Sequence, residues 1–354
     1  MNSAQSQLLC TLMLGIVLAT HALVPQAEEK TSKIRLYNWQ EYMPQSVLDA
    51  FKEKSGYSVE QVYYENDELK EDLLQATQGE GLDLVIGSAA SFTVYVQQGN
   101  LLSELSQEMP NLKNIDPRWQ TQHPQLVKHA VPFLWGTLGI AYRTDKVQGK
   151  VDSWAQLLRP DPALKGKIMM VEDMRDLFTP ALKLLGYSTN ATDRKAIDQA
   201  ADLLESQKEF VATYKYIDLT ETSELLTGTA WMALAYNGDA LGLAAMSPQI
   251  AFVVPKEGTN VWVDYIAVLQ ASRNQEVAMS FIDFINQPEV AAQIATELYY
   301  ASPNRQARKL IAEDMLNNPL IYPPDEVLEK SESIHPIQGR AAVYYNHRFG
   351  NLMQ

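Results

Sequence analysis

The chain has 354 residues, of which 46% are apolar, and a formal net charge of −14. This length and apolar content exclude a disordered protein and predict a globular one with two lobes. The acidic balance disfavours nucleic acid and anionic membrane surfaces as partners and suits a cationic ligand, although it also favours solubility.

The N-terminal segment has the pattern of an export signal. Residues 1–27 contain no Lys, Arg, Asp or Glu, and an apolar run occupies about residues 8–24. Small residues at Ala22 and Ala27 suit a cleavage site, so we expect residues 1–27 to be removed on export; an uncleaved anchor is the alternative. Since Cys10 is the only cysteine, the mature protein would have no disulfide and no Cys-ligated metal. No later stretch is apolar for about 18 residues, so no membrane insertion is expected after cleavage.

Strand and helix patterns alternate after this segment. Strands are predicted at residues 34–39, 57–63, 82–86, 138–142, 167–171, 231–236, 250–254 and 261–269. Helices are predicted at residues 44–54, 68–77, 177–185, 192–205, 275–286, 288–298 and 304–312. This alternation predicts an α/β fold in which helices cover mainly parallel sheets.

Apolar spacing indicates which side of the first two helices faces the core. The inward residues predicted from it are Val47, Leu48 and Phe51 in the first helix and Leu69, Leu73 and Leu74 in the second. Gly56 suits the C-terminal end of the first helix, where a left-handed residue is common.

Aromatic and carboxylate residues recur directly after the predicted strands, where ligands bind in α/β sheets. They lie in segments 38–42, 172–176, 236–239, 262–264 and 299–300. A polyamine is a methylene chain that carries ammonium groups at intervals. Each ammonium needs a carboxylate once it loses its water, and the methylenes need apolar walls, which Trp and Tyr rings supply while attracting cations. The strand ends therefore favour a polyamine over a phosphate, which prefers Arg, Lys or helix N-termini.

Six short motifs follow one another along the chain: Tyr37-Asn38-Trp39-x-Glu41-Tyr42, Pro132-Phe133-Leu134-Trp135-Gly136, Ser153-Trp154-Ala155-x-Leu157, Asn237-Gly238, Trp262-x-Asp264 and Pro303-Asn304-x-x-Ala307-Arg308. Together they resemble the periplasmic spermidine- and putrescine-binding proteins of bacterial ABC transporters. The resemblance implies a two-lobed periplasmic binding protein of the type II solute-binding fold, with a hinge and an interlobe cleft. It implies lobe 1 at residues 33–137 plus 264–301 and lobe 2 at residues 138–263 plus 302–354.

The resemblance also implies which residues line the cleft: Trp39, Gln40, Tyr42, Ser88, Asp173, Asp176, Tyr236, Trp262, Asp264, Tyr300 and His335. Asp173 and Asp176 would hold one amine end, Asp264 would pair with another amine, and the rings would form walls around the methylenes. The resemblance implies no catalytic residue, no metal and no other cofactor.

Two departures from the family pattern leave the preferred ligand open among spermidine, norspermidine and putrescine. Ala90 stands where some relatives have Tyr, and Asp176 is shorter than the Glu that is common there. Some family members report a polyamine to a membrane-bound cyclic-di-GMP signalling protein. The expected membrane partner is therefore an ABC permease or a sensory protein of that kind.

Simpler interpretations stay open from the residues alone. Trp39, Tyr42 and Trp262 are also typical core residues, and carboxylates at a helix start are favoured by the helix dipole. A ferric-ion-binding protein of related fold is an alternative, because adjacent tyrosines at 63–64, 299–300 and 344–345 are candidate iron ligands. An enzyme is disfavoured, because no zinc-protease, nucleophile-elbow, Walker or dinucleotide motif is present. A glycosidase-like pair of carboxylates stays open as an alternative.

Overall fold

A computed structural model describes residues 33–106 and 108–354, so the predicted signal at residues 1–27 lies outside the described residues. The strands are β1 Lys33–Trp39, β2 Ser58–Tyr64, β3 Leu84–Ser88, β4 Ala130–Arg143, β5 Ile168–Met170, β6 Val211–Tyr214, β7 Met232–Tyr236, β8 Ile250–Val253 and β9 Val261–Val268. The helices are α1 Gln45–Ser55, α2 Asp67–Thr77, α3 Ala89–Gln98, α4 Pro117–Gln122, α5 Ala155–Leu158, α6 Met174–Leu184, α7 Arg194–Gln207, α8 Glu224–Thr227, α9 Asn237–Met246, α10 Gln275–Ile285, α11 Pro288–Leu298, α12 Glu313–Leu316, α13 Asp325–Leu328 and α14 Gly339–Leu352. Across these residues no helix is long and apolar enough to span a membrane.

The strands pair in the order β2-β1-β3-β9-β4-β7-β5-β6, with β8 also on β4. The α/β fold class is confirmed, but the prediction of mainly parallel sheets is wrong. β1 pairs in parallel with β2 and β3, and β5 with β6 and β7. β9 and β4 run antiparallel to all their neighbours. Because β4 and β9 run in the opposite direction to their neighbours, the sheet contains both parallel and antiparallel pairs.

Strand β4 connects two regions of the sheet. Residues 130–137 pair with β9, and residues 138–142 pair with β7. The buried apolar residues follow the same division. A first cluster surrounds Leu36, Ile86 and Ile266, and a second surrounds Ile168 and Phe178. The lobe limits given above stay a prediction.

Helix α1 agrees with the spacing argument, and α2 does not. In α1, Val47, Leu48 and Phe51 are buried, and Gly56 ends the helix with φ of 79°. In α2, Leu74 is buried, but Leu69 is 50% exposed and Leu73 is 39% exposed. Lys70 takes their place and is fully buried. The inward prediction for Leu69 and Leu73 is therefore wrong, because α2 is turned by about one residue.

The predicted helix at residues 304–312 is also wrong. Only Ala307–Lys309 forms a helical turn of the 3₁₀ type. The Asn304 side-chain oxygen accepts hydrogen bonds from the backbone N–H groups of Gln306 and Ala307, both at 3.0 Å. These are the hydrogen bonds of a helix N-cap, so the segment begins as a helix but continues for only one turn.

Candidate ligand-binding site

A continuous series of aromatic contacts joins the two clusters. Trp39, at the end of β1, packs on Tyr64 of β2 with ring centroids 4.4 Å apart and on Tyr216 at 5.6 Å. Tyr216 stacks on Tyr236, at the end of β7, with centroids 6.0 Å apart and an interplanar angle of 15°. Trp39 packs against the first cluster and Tyr216 against the second, so these rings meet between the two cores.

The series continues through β9 and the segment after α11. Trp262 contacts Tyr236 at 5.6 Å and Tyr300 at 5.0 Å, and Tyr300 contacts Tyr42 at 5.8 Å, all edge to face. A Cβ atom at Gly238 would lie 2.4 Å from the Tyr300 ring. Only glycine permits this approach, so the glycine of the Asn237-Gly238 motif has a packing reason. We call the rings of Tyr64, Trp39, Tyr216, Tyr236, Trp262, Tyr300 and Tyr42 the ring path.

We use the word cleft for the region occupied by the ring path and the carboxyl groups beside it. One end of this region lies at the start of α6, and we call it the α6 end. Asp173 caps the helix and accepts hydrogen bonds at 2.9 Å from the backbone N–H groups of Arg175 and Asp176. Asp176 accepts hydrogen bonds from the Tyr236 hydroxyl and from Asn260. Burial raises the pKa of both carboxyl groups, and the proximity of Asp173 raises that of Asp176 further. These partners are uncharged, so the two carboxylates lack a cation of their own in direct contact.

The other end lies among α2, β3 and β9, and we call it the α2 end. Its central carboxyl group is Asp264, which is 9% exposed and lies opposite Ser88 in the β3–β9 register. Burial raises the pKa of Asp264 to about 7, and the negative charge of Asp67 adds to this, while Lys70 and the Tyr42 hydroxyl act in the opposite direction. The negative charge of Asp67 also raises the pKa of Asp173, so the carboxyl groups of the two ends act on one another.

The α2 end already holds a cation. The Lys70 ammonium lies 2.5 Å from an Asp67 oxygen and 3.2 Å from the Ser91 hydroxyl, and 5.3 Å from the centre of the Tyr64 ring. Burial lowers the pKa of Lys70, but Asp67 and Glu71 outweigh this effect and leave the pKa above its ordinary value. The group is therefore charged at neutral pH.

A fifth carboxyl group, Asp239, lies beside the ring path. It accepts a hydrogen bond from the Tyr300 hydroxyl at 2.5 Å, and burial raises its pKa to about 6. The cleft thus gathers five carboxyl groups and one ammonium, those of Asp67, Asp173, Asp176, Asp239, Asp264 and Lys70. The Arg175 guanidinium acts on Asp173 and Asp176 beside them. An excess of desolvated negative charge between aromatic walls favours a ligand with several positive charges.

The structure brings most of the predicted site residues together. Eight belong to the ring path or to the two ends described above: Trp39, Tyr42, Asp173, Asp176, Tyr236, Trp262, Asp264 and Tyr300. Ser88 is half-buried, caps α3 and approaches Asp67 at 3.4 Å. Gln40 and His335 are exposed. The ring of His335 lies 6.5 Å from that of His123, outside the ring path. Ligand contact by any of these residues stays a prediction.

Sequence reasoning missed Tyr64, Asp67, Lys70, Tyr216 and Asp239. Tyr64 is the last residue of β2, and Asp67 lies three residues beyond it, so the strand-end rule applied to that strand would have found them. Asp239 lies in the segment after β7 that was singled out, but it was not chosen. Lys70 had no such signal, because a lysine on a surface helix ordinarily points into solvent.

Across residues 33–106 and 108–354, no group of three or more His, Cys, Asp or Glu residues is arranged to hold a metal ion. In two of the adjacent tyrosine pairs that suggested iron ligands, one ring is exposed and the other is buried. Tyr63 is 50% exposed while Tyr64 is buried, and Tyr299 is 36% exposed while Tyr300 is buried. Within each of these two pairs, the hydroxyl groups do not share one site.

The chain is similar to known solute-binding proteins over most of its length. The profile of a family described as bacterial extracellular solute-binding protein matches residues 46–321. The spermidine/putrescine-binding periplasmic protein of Escherichia coli is 29% identical over 318 residues, 89% of this chain and 90% of that protein. The norspermidine sensor of Vibrio cholerae is 30% identical over 298 residues, 84% of this chain and 82% of that protein. A putative spermidine/putrescine ABC transporter structure from Listeria monocytogenes superposes with a TM-score of 0.82 at 28% identity, covering 91% of this chain and 99% of that one.

Proposed function

This chain belongs to the family of bacterial extracellular solute-binding proteins, and from that membership we propose that it is an exported binding protein for a small polyamine. The proposal places the ligand along the ring path, with its ammonium groups at the α6 and α2 ends. The candidates are putrescine, spermidine and norspermidine. The proposed role is binding without catalysis.

The observation that carries the proposal is the charge balance of the cleft. Five carboxyl groups, of which those of Asp176 and Asp264 are buried and the others half-buried, lie beside these rings. One ammonium, that of Lys70, contacts one of them, and the Arg175 guanidinium acts on Asp173 and Asp176 electrostatically. The pKa values of Asp173, Asp176, Asp239 and Asp264 are nevertheless all raised. Buried carboxylates without a cation are unstable and take up protons instead. A ligand with two or more ammonium groups would replace those protons, and its methylenes would fill the space between the rings.

The position of the cleft supports closure around the ligand. Contacts such as Trp39 with Tyr216 connect side chains that pack against different clusters. A ligand that touches both sides binds the closed arrangement better than an open one and so shifts the population toward it. In this proposal the closed surface is what a membrane partner recognises.

Two roles are compatible with this binding. Delivery to an ABC permease in the periplasm is the first, supported by relatives named as periplasmic polyamine-binding proteins. A sensor subunit is the second, supported by the relative named as a norspermidine sensor at 30% identity. Purification of a tagged chain from membranes of the source cell, followed by identification of the bound membrane protein, separates a permease from a signalling protein.

A thermal-shift panel tests the proposed ligand class. Putrescine, cadaverine, spermidine, norspermidine and spermine are compared at equal ionic strength, with Fe³⁺ and with NaCl as controls. At a ligand concentration of about 100 times Kd, binding stabilises the folded state by about 2.7 kcal/mol, which is several degrees in Tm. A panel in which no polyamine raises Tm would reject the proposal, and a rise with Fe³⁺ alone would favour the iron-binding alternative.

A further inference from the structure

We propose that the Lys70 ammonium is a resident cation that takes the place of one ligand ammonium at the α2 end of the cleft. Lys70 then lowers by one the number of ligand charges that the cleft accepts, and so acts as a specificity-determining residue between diamines and triamines. This inference rests on the proposed polyamine binding and deepens it.

The surroundings of Lys70 have the chemistry of an ammonium-binding site. The Asp67 carboxylate at 2.5 Å, the Ser91 hydroxyl at 3.2 Å and the face of Tyr64 all contact the ammonium. A carboxylate, a hydroxyl acceptor and an aromatic face are the groups that a desolvated ligand ammonium would need. The lysine side chain has no exposed surface, so its charge is held inside the protein rather than in solvent.

The backbone beside Lys70 leaves space for its ammonium group. A Cβ atom at Gly87 would lie 2.9 Å from the Lys70 nitrogen and 3.2 Å from the Phe92 ring, so glycine at the end of β3 leaves the space that the ammonium occupies. Helix α2 meanwhile exposes Leu69 and Leu73 to bury Lys70. Burying a lysine while exposing two leucines runs against the hydrophobic effect. Such local conflicts are concentrated at functional sites.

Lys70 is connected to the proposed ligand contacts. Ser91, which accepts from Lys70, also accepts from the Ser88 hydroxyl at 3.1 Å, and Ser88 lies opposite Asp264 in the sheet. Tyr64, whose ring faces the ammonium, packs on Trp39 of the ring path. A third ligand ammonium in this part of the cleft would meet Lys70 as a like charge and would find Asp67 already paired. Like charges a few ångströms apart in a buried site repel strongly.

The test compares the binding of putrescine and spermidine by calorimetry to three proteins at one pH and ionic strength. These are the natural chain, Lys70→Met, and the double variant Asp67→Asn/Lys70→Met. Methionine keeps the length and volume of the side chain but removes its charge, and the double variant removes the carboxylate that is left unpaired. Circular dichroism melts establish that each protein is folded.

We expect Lys70→Met to shift the ratio of the two Kd values toward spermidine by at least about tenfold, which corresponds to about 1.4 kcal/mol. The double variant should return the ratio to within about threefold of its original value, because the charge balance of the cleft is restored. If the single variant does not fold, a shift of more than about tenfold in the double variant contradicts the inference.

The other outcomes separate this inference from the proposed function. Polyamine binding with an unchanged ratio in folded Lys70→Met overturns the role of Lys70 and leaves the proposed function standing. Binding by Lys70→Met but not by the natural chain rejects the proposed function, and with it the role of Lys70 in choosing between diamines and triamines. Absence of polyamine binding by all three proteins rejects both.

Discussion

At the α6 end of the cleft, Asp173 and Asp176 are bound only by neutral donors, namely backbone N–H groups, the Tyr236 hydroxyl and Asn260. At the α2 end, the Asp67 carboxylate is paired with the buried Lys70 ammonium. The first end has no cation in direct contact, although the Arg175 guanidinium acts on both carboxyl groups electrostatically, and the second end has a directly paired ammonium of the chain. Carboxylates in one cleft therefore differ in whether they are already paired with a cation of the chain or can pair with an ammonium of the ligand.

The largest effect is expected from Asp264→Asn. Asp264 is the carboxyl group of the α2 end without its own ammonium, so its loss leaves no unpaired carboxylate there for the ligand. Removing one partner of a buried charge pair costs about 2–5 kcal/mol of binding free energy. Calorimetry with the preferred polyamine measures this loss. Asp49→Asn, an equal charge change on the exposed side of α1, should leave Kd unchanged; equal losses in both variants would remove Asp264 from the site.

Asp173→Asn should have a smaller effect, because Asp176 remains beside it. Asparagine is as good a helix cap as aspartate, so α6 should keep its start while one charge is lost. We expect a loss of about 1.5–3 kcal/mol of binding free energy, the value of a charge-assisted hydrogen bond. Calorimetry compares this variant directly with Asp264→Asn. A greater loss at Asp173 than at Asp264 would contradict the distinction between the two ends.

Trp262→Ala should cost about 1–3 kcal/mol of binding free energy, because the ligand loses a cation-attracting ring and buried area midway along the ring path. Trp262→Phe keeps an aromatic face and should recover a measurable part of the affinity. The two dissociation constants and the Tm of each ligand-free variant are the measurements. An alanine variant with unaltered Kd and Tm would mean that this ring does not contact the ligand.

Affinity should rise by at least about tenfold between about pH 6 and about pH 8, and this tenfold is the share of Asp264, to which Asp176 with a pKa of about 8 adds. The pKa of Asp264 is about 7 in the ligand-free protein, where Asp67 opposes its ionisation and Lys70 and Tyr42 favour it. Below that pKa an ammonium must displace a proton, which costs one factor of ten per pH unit. Ligand ammonium groups resemble lysine, with a pKa of about 10.4, and stay charged in this range. Calorimetry in buffers of different ionisation enthalpy counts the released protons.

The same pKa shift affects the ligand-free protein in a defined direction. The pKa of Asp264 in the folded state lies above that of an unfolded chain, about 3.9. Its contribution to stability is therefore present below about pH 4 and is lost as the pH rises through about 7. Asp264→Asn should reduce the pH dependence of both the free energy of unfolding and the polyamine affinity. If both pH dependences remain in this variant, other carboxyl groups cause them.

The smallest effect concerns the orientation of α2, on which the burial of Lys70 at the α2 end depends. Leu69→Gln and Leu73→Gln change exposed side chains, so each should alter the free energy of unfolding by at most about 0.5 kcal/mol. Leu74→Ala on the buried side should cost about 2–5 kcal/mol. Urea unfolding measures all three. A large loss for Leu69→Gln would mean that α2 buries the leucines and exposes Lys70.

Helix α2 shows where sequence reasoning reached its limit. Leu69 with Leu73 and Lys70 with Leu74 are both pairs at spacing i, i+4, and each pair defines a face of the same helix. The two faces differ by one residue, about 100° of rotation. The sequence predicts that all three leucines, Leu69, Leu73 and Leu74, face inward, because hydrophobicity decides such choices in ordinary helices, and only Leu74 does. The space beside Gly87 and the carboxylate of Asp67 favour the other face, and neither is visible from periodicity.

The sequence by itself determined the elements whose signals are local. The apolar stripe of α1, its end at Gly56, the buried strand β3 and the aromatic and acidic residues at the strand ends could all be predicted, because neighbouring residues decide them. Tertiary structure alone decided the burial of Lys70, the contact of Tyr216 with Trp39 and the pairing of Asp239 with Tyr300. Each of these three features depends on residues that are far apart in the sequence. The electrostatic and packing energies between such residues arise only when folding brings them together.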